Sequence, residues 1–161
     1  MTPLSIWVLA VEPHAHGLAF AAFAAGGDLV DWGSYDGRDC ECSAMRQRCR
    51  RLVHELSPSI VGIEDVDQPD CVRSKRMRDL LRSVRQDVLD NGIAVVRVPR
   101  RLMRKRVKGL DRHSSTLYHL SDRSSEVQYL SAHRSTRAVP VRKAMRIGLA
   151  VIATRRKSNI S

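Results

Sequence analysis

Three carboxylates in this chain stand where apolar runs give out. Ile6-Trp7-Val8-Leu9-Ala10-Val11 leads into Glu12, and Ile60-Val61-Gly62-Ile63 leads into Glu64 and Asp65. Apolar runs of this length, closed by polar residues, read as strands buried on both faces. The acids then sit at the carboxyl ends of those strands, where α/β sheets bind their ligands. If the two strands are neighbours, Glu12 and Glu64 lie side by side, as a hard divalent cation (Mg²⁺ or Mn²⁺) requires. Such a cation activates water or stabilises charge on a phosphoryl oxygen. Asp65 can join Glu64 only if the strand has ended, because successive strand residues point to opposite faces. The plainer alternative is that strand-end acids face solvent. His14 and His16, in the turn after Glu12, are further candidate ligands.

The elements that must place these residues follow from pattern. Ser5 to Val11 is expected to be a strand, with Pro13 to Gly17 as a turn. Leu18 to Ala25 is a second strand, Gly26-Gly27-Asp28 a hairpin connection, and Leu29 to Gly33 a short third strand. Met45, Cys49, Leu52, Val53 and Leu56 share one face of a helix over 43–56, which Pro58 ends. The Ile60 strand follows. Met77, Leu80, Leu81, Val84, Val88 and Leu89 mark the buried stripe of a second helix, stopped by Asn91-Gly92. Ile93 to Val98 is a further strand. A strand, helix and strand of these lengths predict parallel pairing of the last two strands. Ser114 or Ser115 can cap a helix running to about His133. Pro140 can open a final helix, nearly all apolar from Ala144 to Ala153.

Composition bounds the partners. The chain has 161 residues and a formal charge of +11, enough for one domain over 1–161 with a proper core. Up to Val96 there are 11 Lys and Arg against 14 acids; from Arg97 there are 17 against 3. A basic half of this strength points to a polyanion, most often nucleic acid. The candidate phosphate contacts are Arg73, Arg76, Arg100, Arg101, Arg104, Lys105, Arg142 and Lys143. The basic helices lack a Trp/Phe face for insertion into an anionic membrane. No apolar run is long enough for a transmembrane helix, and the start lacks the basic region of a signal peptide. A soluble, cytoplasmic protein is expected. Cys40, Cys42, Cys49 and Cys71 lack zinc-finger spacing and read as free thiols in a reducing compartment. Low aromatic content argues against a base-stacking platform.

The order of elements resembles the RNase H-like fold, and within it the RuvC-type Holliday junction resolvases. "WVLAVEPHAHGLAFAAFAAGGDLVDWG" looks like that family's first hairpin, and "IVGIED" like its fourth strand with a metal-binding Glu. "RRLMRKRVKG" is similar to the basic segment after the fifth strand, and "AVPVRKAMRIGLAVIAT" to the final helix. The resemblance implies an α/β, five-stranded mixed sheet flanked by helices, with strands 1–3 antiparallel and strands 4–5 parallel. It implies Glu12, Glu64 and Asp65 as catalytic residues, Glu12 and Glu64 as metal ligands, Mg²⁺ or Mn²⁺ as cofactor, DNA favoured over RNA, and a homodimer.

Departures from the family pattern are as informative. The first strand of family members ends in Asp, here Glu12. Their last helix carries an acid, and Gly148 stands where that Asp is expected. Glu126 is the last acid in the chain. The loop after strand four, Val66 to Val72, lacks the family's aromatic. Phosphodiester hydrolysis by paired metals needs three or four acids, and this chain offers two or three. The expectation is therefore a RuvC-like nucleic-acid-binding protein with a degraded metal site. The alternatives are an active Mg²⁺-dependent, structure-selective endonuclease, and a partner-binding protein with a basic face.

Overall fold

The computed structural model describes residues 5–36, 41–103 and 138–158. Strands β1 (Ile6–His14), β2 (Gly17–Ala24) and β3 (Leu29–Asp36) come first. Helix α1 (Cys42–Leu56), strand β4 (Ile60–Glu64), helix α2 (Lys75–Asp90) and strand β5 (Ala94–Val98) follow. Helix α3 (Ala138–Ser158) is the last element described. One five-stranded sheet runs in the order β3-β2-β1-β4-β5. β1 pairs antiparallel with β2, and β2 with β3, while β4 is parallel to both β1 and β5. This is the mixed sheet that the resemblance implies, and the spacing of apolar runs alone predicts its hairpins and the parallel pairing of β4 and β5. β3 runs three residues further than its apolar core suggests, because Ser34, Tyr35 and Asp36 continue the ladder to β2.

Alternate residues of the two central strands supply two separate cores. Leu9, Val11, Val61 and Ile63 pack with Met45, Cys49 and Leu52 of α1 and with Leu80, Leu81 and Val84 of α2. Val8, Ala10 and Ile60 pack with Ala144, Ile147, Ala150 and Val151 of α3 on the other face. This is the two-residue period of a strand applied to runs that are apolar at every position. Gly62 sets how closely α3 approaches. A Cβ there would meet Val151 Cγ2 at 2.8 Å and Ile147 Cγ2 at 3.1 Å.

The helix ends follow their residues. Ser57 takes a left-handed φ of 44° and its N–H closes α1 on the Val53 carbonyl. Ser74 caps α2, accepting from the Met77 N–H at 3.3 Å. Gly92, at φ 73°, turns the chain out of α2. α3 begins before Pro140, which sits in its first turn, where the missing N–H costs no helical bond.

Several expectations are corrected. Leu89 was expected in the α2 stripe and is instead 45 % exposed. The strand expected over Ile93 to Val98 is present as β5, at one edge of the sheet. Gly148 does not face the acids. It packs on β2, where a Cβ would come within 2.1 Å of Phe23 Cε2. The 114–133 helix, Arg104, Lys105 and Glu126 lie outside the described residues. No described helix is long and apolar enough to cross a membrane.

Candidate active site

Sheet register brings the two glutamates together. Ala10 is paired with Gly62 across β1 and β4. Glu12 and Glu64 each lie two residues further along their strands, so both point to the α3 face. Both are buried, at 1 % and 4 % exposure. A lone pair of buried carboxylates repels, and each would be costly to keep charged in a dry site.

A third residue resolves that conflict. Arg73 ends the loop that returns from β4 to α2 and directly precedes the Ser74 cap. Its Nε donates to Glu64 Oε2 at 2.7 Å, its Nη2 donates to Glu12 Oε1, and its Nη1 donates to the Pro13 carbonyl at 3.1 Å. One guanidinium thus spans both carboxylates and a backbone carbonyl near the end of β1. Its side chain is only 13 % exposed. Burial works against the Arg73 charge, but the adjacent Glu12 and Glu64 outweigh it and raise its pKa.

α3 adds a second cation. Lys143 Nζ lies 3.5 Å from Glu12 Oε1, with its side chain 44 % exposed. Lys143, Ile147 and Val151 recur at helical spacing, and the latter two cover Gly62. The position on α3 that reaches the acids is therefore 143, a lysine, and not 148. Burial pushes the Glu12 carboxyl above its ordinary range, opposed first by Arg73 and then by Lys143. Glu12 Oε2 is buried and has no hydrogen-bond partner among the described residues.

Asp65 does not join the pair. β4 ends at Glu64, and the Asp65 side chain accepts from the Asp67 N–H at 3.2 Å and from Gln68 Nε2 at 2.9 Å. Arg97 lies 3.5 Å from it. Asp65 thus fastens the loop that carries Arg73. Neighbouring Asp67 is ion-paired with Arg82, Arg85 and Arg97. His14 closes its own turn, accepting from the His16 N–H at 3.3 Å, with its other ring nitrogen 3.4 Å from Ser34 Oγ. Among the described residues, no group of three or more His, Cys, Asp or Glu could hold a metal.

Of the remaining basic candidates, Arg76, Arg100, Arg101 and Arg142 are among the described residues. Arg76 donates to Cys42 Sγ at 3.1 Å. Arg100 and Arg101 belong to a helical turn over 100–103, whose Leu102 and Met103 pack into the core on the α3 side. Arg142 is exposed on α3, beside Lys143. Glu12 and Glu64 lie side by side at the ends of neighbouring strands, as their sequence positions predict, whereas Arg73 and Lys143, expected only as phosphate contacts, pair with these acids. A bridge from Arg73 back to residues nine and sixty-one positions earlier has no local periodicity to reveal it.

No protein-family model and no curated sequence matches the chain. Its fold is nonetheless shared by solved structures. Thermus thermophilus RuvC, in complex with a Holliday junction substrate, matches with a TM-score of 0.64 at 13 % identity, over 92 % of this chain and 94 % of that one. Fowlpox virus resolvase, in complex with substrate Holliday junction DNA, matches with a TM-score of 0.64 at 13 % identity, over 92 % and 97 %. The yeast mitochondrial Holliday junction resolvase Ydc2 matches with a TM-score of 0.54 at 10 % identity, over 96 % and 85 %. The chain has the RuvC-like resolvase fold, within the RNase H-like class.

Proposed function

We propose that this chain, built on a RuvC-like resolvase fold, is a DNA-binding protein whose metal-dependent strand cleavage is weak or absent. The observation that carries the reading is Arg73, held between Glu12 and Glu64 where a hydrolytic divalent ion would need those carboxylates. The donor set does not fit a pair of such ions. Among the described residues two carboxylates are present, both are already ion-paired, and α3 contributes Lys143 rather than an acid.

A guanidinium supplies charge but not metal chemistry. It stays protonated, presents only N–H donors, and has no open coordination position from which to acidify water. It does remove the repulsion that two bare carboxylates would exert on a phosphodiester backbone. Arg100, Arg101, Arg142 and Lys143 come from elements on the same side of the sheet, and the charge from Arg97 onward is strongly positive. These features suit the holding of phosphates. The structural neighbours solved with junction DNA support a branched DNA ligand.

The test is fluorescence anisotropy with a labelled four-way junction, a linear duplex and an RNA duplex, each in EDTA across a salt series. Binding to DNA should persist in EDTA, and log K should fall against log salt with a slope of about −0.9 per phosphate neutralised. Binding that appears only with Mg²⁺, or no binding to any of the three, would refute the reading.

A further inference from the structure

We propose that Arg73 is a built-in cation that closes a latent divalent-metal site, so that the guanidinium and a metal ion exclude one another. This deepens the reading above and rests on it.

Three observations converge. First, Glu12 and Glu64 both reach the Arg73 guanidinium, and Glu64 Oε2 lies 2.7 Å from its nitrogens. A cation in the place of that guanidinium would be shared by both acids. Second, the Arg73 guanidinium also takes the Pro13 carbonyl, an oxygen of the kind that hard cations accept as ligand. Its three nitrogens therefore satisfy three oxygen donors from two strands. Third, Glu12 Oε2 is buried without a hydrogen-bond partner among the described residues. The planar fork leaves one carboxylate oxygen unused, whereas a divalent ion can take a carboxylate through both. With Arg73 gone, the remaining donors are two carboxylates and one carbonyl, with half-exposed Lys143 at the rim.

The loop can lose this side chain without losing its shape. Its backbone is held by Asp65 through the Asp67 N–H and the Gln68 side chain, by the Cys71 N–H on the Gln68 carbonyl, and by the Ser74 cap. None of these bonds involves Arg73. A truncated side chain at 73 therefore leaves the two acids in place with the space between them open.

The test uses the full chain, free of DNA, titrated with MnCl₂ by calorimetry and followed by thermal unfolding. The wild type should show no saturable site up to millimolar Mn²⁺. Arg73→Ala should bind at least about tenfold more tightly, in the range spanned by oxygen-donor sites. Excess Mn²⁺ should raise its Tm by about 3–5 °C while leaving the wild type unmoved. Adding Glu64→Gln to Arg73→Ala should abolish the gain. Arg73→Gln, which keeps an amide donor to the acids, serves if the alanine variant does not fold in EDTA. If neither variant folds in EDTA, refolding with Mn²⁺ present becomes the readout. Rescue supports the latent site, and absence of rescue overturns it. Two further results also overturn it: a wild type that binds Mn²⁺ as tightly as Arg73→Ala, or a folded Arg73→Ala that binds none. Failure of the wild type to bind DNA in EDTA is a separate result, which refutes the functional reading and leaves the metal titration standing.

Discussion

At the scale of residues, one arginine decides how two buried acids behave. Glu12 and Glu64 were legible because each closes an apolar run, and the two-residue period then fixes the face they share. Arg73 was legible only as charge. It stands among several arginines at the start of α2, and nothing local separates the one that folds inward from those that face water. Removing it takes the ion pair from buried Glu64 and leaves buried Glu12 with only half-exposed Lys143, so Arg73→Ala should cost about 3–5 kcal/mol in chemical denaturation. A loss below about 1 kcal/mol would mean the pair is not held as described. A buried thiol gives an independent check of the core. Cys49 lies on the buried face of α1, and burial pushes its pKa up to about 12. In native protein it should resist a thiol reagent while Cys42 and Cys71, both partly exposed, react. Rapid labelling of Cys49 without denaturant would contradict this packing.

The elements of the described fold were legible for the same reason as the acids. Strand runs that are apolar at every position predict burial on both faces, and Met45, Cys49, Leu52 and Val53 predict the inner face of α1. What sequence could not supply was the rotation of α3. Almost every side of that helix is apolar, so its pattern does not say which residue meets which strand. The structure turns Lys143, Ile147 and Val151 toward β1 and β4, and Gly148 toward Phe23. Gly148→Asp should therefore fail to supply a metal ligand. It drives a charged side chain into an aromatic ring in an apolar core, and soluble yield should collapse. A well-folded Gly148→Asp protein with new Mn²⁺ affinity would overturn this placement. Gly62→Ala should push α3 off the sheet at a cost of about 1–3 kcal/mol. A pH effect belongs at this scale too. Asp87 of α2 accepts from Arg46 and Arg50 of α1, and these bonds hold its carboxyl well below the usual carboxylate range. A depressed folded pKa means stability that is present above the unfolded value of about 3.9 and lost as pH falls through the folded one. Asp87→Asn should thus weaken the protein at neutral pH, by about 1 kcal/mol given the exposure of both arginines. The gap to wild type should close in strong acid, and a gap independent of pH would exclude this ion pair as its source.

At the scale of the molecule, a fold built to bring acids together coexists with a chain that is net positive. The acids lie where β1 and β4 end, and Arg73 and Lys143 neutralise them, so the α3 side of the sheet presents little negative charge to a polyanion. Arg73 is already committed to carboxylates, whereas Arg101 and Arg142 are exposed. Replacing Arg101 and Arg142 by Ala should flatten the salt slope of DNA binding by about one unit per lost contact. Function was less legible than fold. Charge pointed to a polyanion, but the identity of the α3 residue beside Glu12, on which the proposed chemistry turns, depended on a helix rotation that composition does not encode. The most direct measurement is incubation of the wild-type chain, in excess over a labelled four-way junction, with Mg²⁺ or Mn²⁺, followed by denaturing electrophoresis. The account predicts bound but uncut strands. Rapid metal-dependent cleavage that Glu64→Ala abolishes would contradict it.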